Sequence, residues 1–116
     1  MKIVTNKGFI EISDKIISVI SGYAALNCFG VKAMTVRGLG DELTLLLKKG
    51  ENFHKGVKVR VIGNSVCIEL HIAVEHGINM KTVAKSIMNE VKYVVEKQTG
   101  IKVSRVDVFV DTIIVS

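Results

Sequence analysis

Proline and tryptophan are absent from this 116-residue chain, cysteine occurs twice, and aromatic residues make up only 5%. Each shortage excludes something. A chain without proline, with 48% apolar and 23% charged residues, is neither a low-complexity nor a disordered one. Two cysteines, Cys28 and Cys67, are too few for a disulfide scaffold and fit a reducing compartment. The scarcity of aromatics removes the stacking platforms on which sheet-borne RNA readers hold bases. No apolar run approaches the ~18 residues of a membrane helix. The start, Met1 to Asn6, has neither a long apolar core nor the small-residue cleavage site of a signal peptide. The expectation is a cytoplasmic protein without direct membrane insertion. The length is most simply one domain, residues 1–116.

What is present is alternation. Gly56 to Gly77 reads as two strands joined at Gly63-Asn64, a pair suited to a two-residue hairpin loop. Val57, Val59 and Val61 alternate on one arm, and Val66, Ile68, Leu70, Ile72 and Val74 on the other. Period-two alternation buries one face and leaves the other wet. The short loop sets Val61 against Val66, Val59 against Ile68, Val57 against Leu70 and, on the wet face, Lys58 against Glu69. A loop one residue longer would mix the faces.

Before the hairpin, Gly8 to Ile12 reads as a strand. A helix follows from Ser13 to about Leu26, with Ser13 as N-cap and Ile16, Ile17, Ile20, Tyr23 and Ala24 as one buried stripe. Gly30 is a left-handed terminator. Val31 to Val36 reads equally as a short edge strand or a loop. Asp41 can cap a short helix carrying Leu43, Leu46 and Leu47. Beyond Gly77, Asn79 caps a long helix whose apolar positions run from Met80 through Val83, Ile87, Val91 and Val95, and Gly100 closes it. The last strand spans about Ile101 to Val110, followed by the apolar tail Ile113-Ile114-Val115 that an edge strand could extend onto a neighbour. A strand, a helix and a strand in this order form a parallel crossover if both strands share a sheet. The expected fold is α+β: a two-layer sandwich with a mixed sheet, built on the hairpin and the C-terminal strand, and helices on one face.

Candidate chemistry is sparse. His71 shares the wet face with Cys67 and Glu69, but no paired Cys or His spacing of a zinc site occurs, and a solvated face is preferred to a metal. His76 belongs to a turn. Nothing near Cys28 in the sequence provides a base, so a buried thiol is preferred to a nucleophile. Gly38-Leu39-Gly40 lacks the third glycine of a dinucleotide fingerprint and the Gly-Lys-Ser/Thr of a phosphate loop. No catalytic, cofactor-binding or metal set is therefore expected. The net charge of +5 permits nucleic-acid binding, which rests on charge alone and is the weaker alternative. The wet face carries Cys67, Ala73, Val103 and Phe109 beside Lys58, Arg60, Glu69 and His71. An apolar centre with a charged rim suits a contact surface for a protein partner, and equally a face covered by a helix or the N-terminal strand.

Three runs together carry a resemblance: GFIEISDKIISVISGYAALNCFGV, KGENFHKGVKVRV, and VCIELHIAVEHGINMKTVAKSIMNEVKYVVEKQTGIKVSRVDVFVDTI. In the order and spacing of these segments the chain resembles the alkaline shock protein family, in its YloU-like branch. The resemblance implies a small cytosolic protein of mostly Gram-positive bacteria, tied to alkaline or cell-envelope stress. It also implies self-association or a protein partner, in some members a membrane-protein anchor, and no established enzymatic activity or catalytic residue set. The chain lacks the long charged extensions of some stress-induced members, which points to the shorter housekeeping branch.

Overall fold

Small β-branched residues in strict alternation cannot lie flat on a helix, and either side of Gly63-Asn64 they form a hairpin. The computed structural model describes residues 2–5, 8–37, 44–47 and 52–115. In chain order these form strands β1 (Lys2–Thr5) and β2 (Gly8–Glu11), helix α1 (Asp14–Leu26), and strands β3 (Val31–Arg37) and β4 (Thr44–Leu47). One turn of 3-10 helix (Phe53–Gly56) leads into strands β5 (Val57–Ile62) and β6 (Ser65–Glu75), helix α2 (Met80–Thr99) and strand β7 (Lys102–Ile114). Among the described residues no helix is long and apolar enough to cross a membrane.

The hairpin has the register expected of a two-residue loop. Val61 faces Val66, Val59 faces Ile68, Val57 faces Leu70 and Lys58 faces Glu69. Gly63 takes the loop's positive φ, +60°, the first-position requirement of the turn type that matches strand twist. β6 is the hub of a five-stranded sheet. β7 runs parallel to it along one whole edge. The other edge is shared: β5 pairs antiparallel with Ser65 to Leu70, and β3 pairs antiparallel with Ile72 to Val74. β4 lies outside β3, and β1 and β2 form a separate two-stranded ladder. The sheet is thus mixed, as a crossover through α2 demands.

Both helices cover the face that holds Val66, Ile68, Leu70, Ile72 and Val74, all at most 1% exposed. Burying each such side chain is worth about 1.5–3 kcal/mol. α2 contributes Val83, Ile87, Val91 and Val95, one residue per turn. Its ends are as the sequence implies: the Asn79 side chain accepts from Thr82 N at 3.1 Å, and Gly100 closes the helix at φ +74°. Ser13 Oγ likewise accepts from Ile16 N at 3.2 Å to start α1.

Five expectations need correction. α1 buries only part of the expected stripe: Ile17 and Ala24 are in the core and Ile20 packs against it, but Ile16 and Tyr23 are 48% and 53% exposed. Its buried side is Ile17, Ser18, Ser21, Gly22, Ala24 and Ala25, because small residues admit close neighbours. A Cβ on Gly22 would lie 2.7 Å from the Phe53 ring. Val31 to Val36 is neither loop nor edge but lies between β6 and β4. Leu46 and Leu47 belong to a strand rather than a helix, since β3 offers them an antiparallel partner; Asp41 and Leu43 lie outside the described residues. Ile113 and Ile114 are no free tail, because β7 continues to Ile114 against Val74 and Glu75.

The fifth correction concerns Val103. Strict alternation counted back from Val110 places it on the wet face, yet it is fully buried in the core. The ladder explains this: Val66 pairs with Val103 and Cys67 with Arg105, so Ser104 is an inserted residue. A bulge reverses the parity of everything on one side of it. Val103→Thr is therefore expected to cost about 1–3 kcal/mol through an unpaired buried hydroxyl. A loss within about 0.5 kcal/mol in urea denaturation, the usual range for surface changes, would place Val103 outside the core.

Candidate functional site

The sheet face away from the helices is built in rows by the ladders. Arg60, Cys67 and Arg105 form one row, and Lys58, Glu69 and Asp107 the next. His71 and Phe109 form a third. His71 occupies the one position on β6 between the end of the β5 ladder at Leu70 and the start of the β3 ladder at Ile72. The neighbour on that edge changes there, and a depression of about 440 Å³ opens, lined by Thr35, Lys55, Lys58, His71, Phe109 and Asp111.

The geometry at this junction is specific. His71 Nε2 lies 2.8 Å from Glu69 Oε2, and His71 Nδ1 lies 3.0 Å from Asp111 Oδ2. A carboxylate only accepts hydrogen bonds, so each contact is a hydrogen bond when the ring nitrogen facing it carries the hydrogen. The same Asp111 oxygen accepts from Thr35 Oγ1 at 2.7 Å. Lys58 Nζ stands 3.9 Å from Glu69 Oε2. The Phe109 ring stacks on His71 at 4.9 Å between centroids and 11° between planes. A polar chain thus runs Lys58, Glu69, His71, Asp111, Thr35 across β5, β6, β7 and β3. Asp111 reaches it because a second irregularity in the β6–β7 ladder, between Ile72 and Ala73, inserts it.

These bonds set the electrostatics. The hydrogen bond from His71, with the charges of His71, Lys58 and Arg60, holds the Glu69 carboxyl below its ordinary range against a smaller opposing effect of desolvation. In the next row Arg105 Nε pairs with Asp107 Oδ2 at 3.2 Å. Cys67 is 5% exposed, with its sulfur 3.2 Å from Ser104 Oγ, which in turn donates to Val66 O. Cys28 lies elsewhere, in the turn after α1. Its thiol is pushed up by burial and by the charge of Glu90, and it donates to Ala24 O at 3.4 Å. A protonated thiol of that kind is a poor nucleophile.

Of the six residues the sequence singles out, Lys58, Arg60, Glu69, His71 and Phe109 share one accessible face. Cys67 lies on it but is buried, as is Ala73. The apolar centre therefore shrinks to Phe109, 44% exposed. Thr35, Asp111 and the Arg105–Asp107 pair are participants that sequence reasoning missed. Among the described residues no group of His, Cys, Asp and Glu converges on a metal position.

Gly56 explains how the 3-10 turn meets β3 beside this site. A Cβ there would stand 2.9 Å from Met34 Cβ and 3.0 Å from the Thr35 carbonyl oxygen, neither of which can swing aside. Gly56→Ala is expected to destabilise by about 1–3 kcal/mol; an unchanged denaturation midpoint would refute the close contact. For Glu69 the sign follows from its lowered folded-state pKa. Its contribution is fully present above the ordinary carboxylate range and is lost as pH falls through the folded-state value. Glu69→Gln should lose roughly 1 kcal/mol near pH 7, and the difference from wild type should shrink as pH falls below the ordinary carboxylate range. An undiminished difference in acid would show that Glu69 does not titrate in this way.

A family model for alkaline shock protein 23, with a cell envelope-related function, matches residues 2–115. YloU of Bacillus subtilis is 36% identical over 107 residues, spanning 91% of this chain and 88% of its own. Spy1614 of Streptococcus pyogenes is 34% identical over 114 residues, spanning 97% and 93%. In the solved structures, the manganese form of a variant MamM CTD superposes with a TM-score of 0.51 at 14% identity, covering 86% of this chain and 99% of that one. The zinc form of another variant gives 0.51 at 13% identity, covering 87% of each. At such identities the likeness is one of fold alone. The two relatives and the match across nearly the whole chain settle the family: the chain belongs to the alkaline shock protein 23 family, whose function is related to the cell envelope.

Proposed function

We propose that this chain is a non-enzymatic interaction protein of the cell envelope, acting in the cytoplasm through self-association and through a protein partner that can be a membrane-protein anchor. The observation that carries the reading is the stacked His71–Phe109 pair. It sits half-exposed at the centre of the sheet face that neither helix covers, ringed by Lys58, Arg60, Arg105 and Asp107. A desolvable aromatic centre inside a charged rim is the anatomy of a contact surface. The groups capable of chemistry are otherwise engaged. Both ring nitrogens of His71 are bonded to carboxylates, and the Cys28 thiol is protonated by its surroundings. Nucleic-acid binding gains little support, because Glu69, Asp107 and Asp111 interleave with the cations of the same face and repel a continuous phosphate backbone.

Light scattering on the eluting protein at low and high salt tests self-association. The expected mass is at least about twice the 12.7 kDa of one chain at both salts. Phe109→Asp should move it towards a single chain. A wild-type monomer at both salts would sink self-association and leave only a heterologous partner.

A further inference from the structure

The outer face is uneven in hydrogen-bonding capacity as well as in charge. Its carboxylates are each paired inside the protein through one oxygen: Glu69 Oε2 with His71 and Lys58, Asp111 Oδ2 with His71 and Thr35, Asp107 Oδ2 with Arg105. Its cations are less fully paired. Among the described residues neither Arg60 nor Lys55 has a carboxylate within ion-pair distance, and Lys58 makes only a 3.9 Å contact while 72% exposed. Arg105 engages Asp107 through Nε, at 3.2 Å, and its side chain is 59% exposed. Arg60 and Arg105 stand in the same row, on either side of Cys67. Adjacent strands are about 4.8 Å apart, which places the two backbones roughly 10 Å from one another. A carboxylate can sit between two guanidinium groups at that spacing and accept from both. Two rows along the sheet, Phe109 offers an aromatic surface, 44% exposed.

We propose that this face docks an acidic segment of a protein partner, with a carboxylate between Arg60 and Arg105, further acidic side chains beside Lys58 and Lys55, and an apolar side chain against Phe109. The proposal rests on reading the face as a partner surface and adds the partner's chemistry. Discrete carboxylates fit where a polyanion does not. They can bond the unused N–H groups of Arg60, Arg105 and Lys58 from the solvent side, where the cations themselves stand between the incoming charge and Glu69 or Asp107. A phosphate backbone or a plane of anionic headgroups would press charge against those carboxylates as well.

The test is selection of displayed random peptides, each about a dozen residues long, on the intact protein at about 0.15 M salt. Enriched peptides should carry an excess of Asp and Glu around an apolar residue. Their affinity should fall about tenfold for Arg60→Glu or Arg105→Glu, a size reasonable for one interfacial charge pair. Both side chains are exposed, so these variants should keep the wild-type circular dichroism and melting temperature. Selection on the Arg60→Glu, Lys58→Glu double variant should instead favour Lys and Arg. Enrichment of neutral or basic peptides on the wild type would overturn the proposal, as would affinity indifferent to the reversals. If peptides bind through Phe109 but ignore Arg60 and Arg105, the contact surface stands and the acidic partner falls. If none depends on any of these residues, both fall. Binding of homopolymeric RNA or phosphatidylserine vesicles that Arg60→Glu abolishes, with no acidic peptide enriched, would assign the cations to a polyanion and overturn the proposal.

Discussion

One strand serves three ladders, and the rest of the molecule follows from that. β6 gives one edge to β7 along its whole length and divides the other between β5 and β3. Its even positions, Val66 to Val74, form the floor of the core, and its odd positions, Cys67 to Ala73, form the outer face. Period two makes these two sets inseparable: any slip that exposed Ile68 would bury Glu69 without its partners. The division of the second edge matters as much. Where β5 stops and β3 begins, His71 has no regular neighbour on that side. The gap admits a polar bridge instead, from Glu69 through the imidazole to Asp111 and Thr35. The candidate site is the seam between two half-ladders.

The irregularities of β7 let that seam close. A perfectly regular parallel strand would present every second residue to the outer face and would have no side chain to reach beyond it. Ser104 shifts the parity once, so that Val103 enters the core and its own hydroxyl meets Cys67 and the Val66 carbonyl. Asp111 shifts it again, so that one carboxylate meets both His71 and Thr35, residues 40 and 76 positions away in the chain. Bulges recur at edges and functional sites because they re-aim a side chain without ending the ladder. Here both lie on the strand that carries Phe109 and Arg105, on either side of them.

Much of this architecture was legible because it is local. The loop Gly63-Asn64 and alternating valines determine the β5–β6 register to the residue, and with it the facing of Lys58 and Glu69. Asn79 and Gly100 bound α2, and the stripe from Val83 to Val95 lies where a 3.6-residue period puts it. What was not legible depended on contacts far along the chain. Nothing in VSRVDV signals that Ser104 is inserted; only pairing with Cys67 reveals it. Asp111 and Thr35 have no motif to announce them. Leu46 and Leu47 read as readily into a helix as a strand, and β3 alone decides between them. α1 misleads for another reason: from Ile16 to Leu26 it has no charged residue, so hydrophobicity alone cannot say which side is inward. Small side chains beside Ile17 mark the packed face, because Gly22 must let Phe53 approach.

This division between local and distant determinants bears on how family membership connects to function. The MamM CTD structures share the scaffold at 13–14% identity, so the fold tolerates wholesale replacement of its surface. What distinguishes this chain is how its outer face is assembled. The face is polar, yet its polar groups are not interchangeable decoration. The carboxylates act as mortar between strands, and the guanidinium and ammonium groups are left over. Where Glu69, Asp107 and Asp111 are paired within the protein and, among the described residues, Arg60 and Lys55 are not, the surface is already biased in what it can bind tightly, since a partner bringing more cations would leave both sides unpaired on desolvation. The aromatic pair adds the apolar contact that a purely ionic surface lacks, and the bond of His71 to two carboxylates keeps the ring from turning away from Phe109. The same bridge that fastens β7 and β3 to β6 therefore also holds the contact surface in shape before any partner arrives. That preorganisation lowers the cost of association, so a patch with one exposed aromatic ring can still be specific.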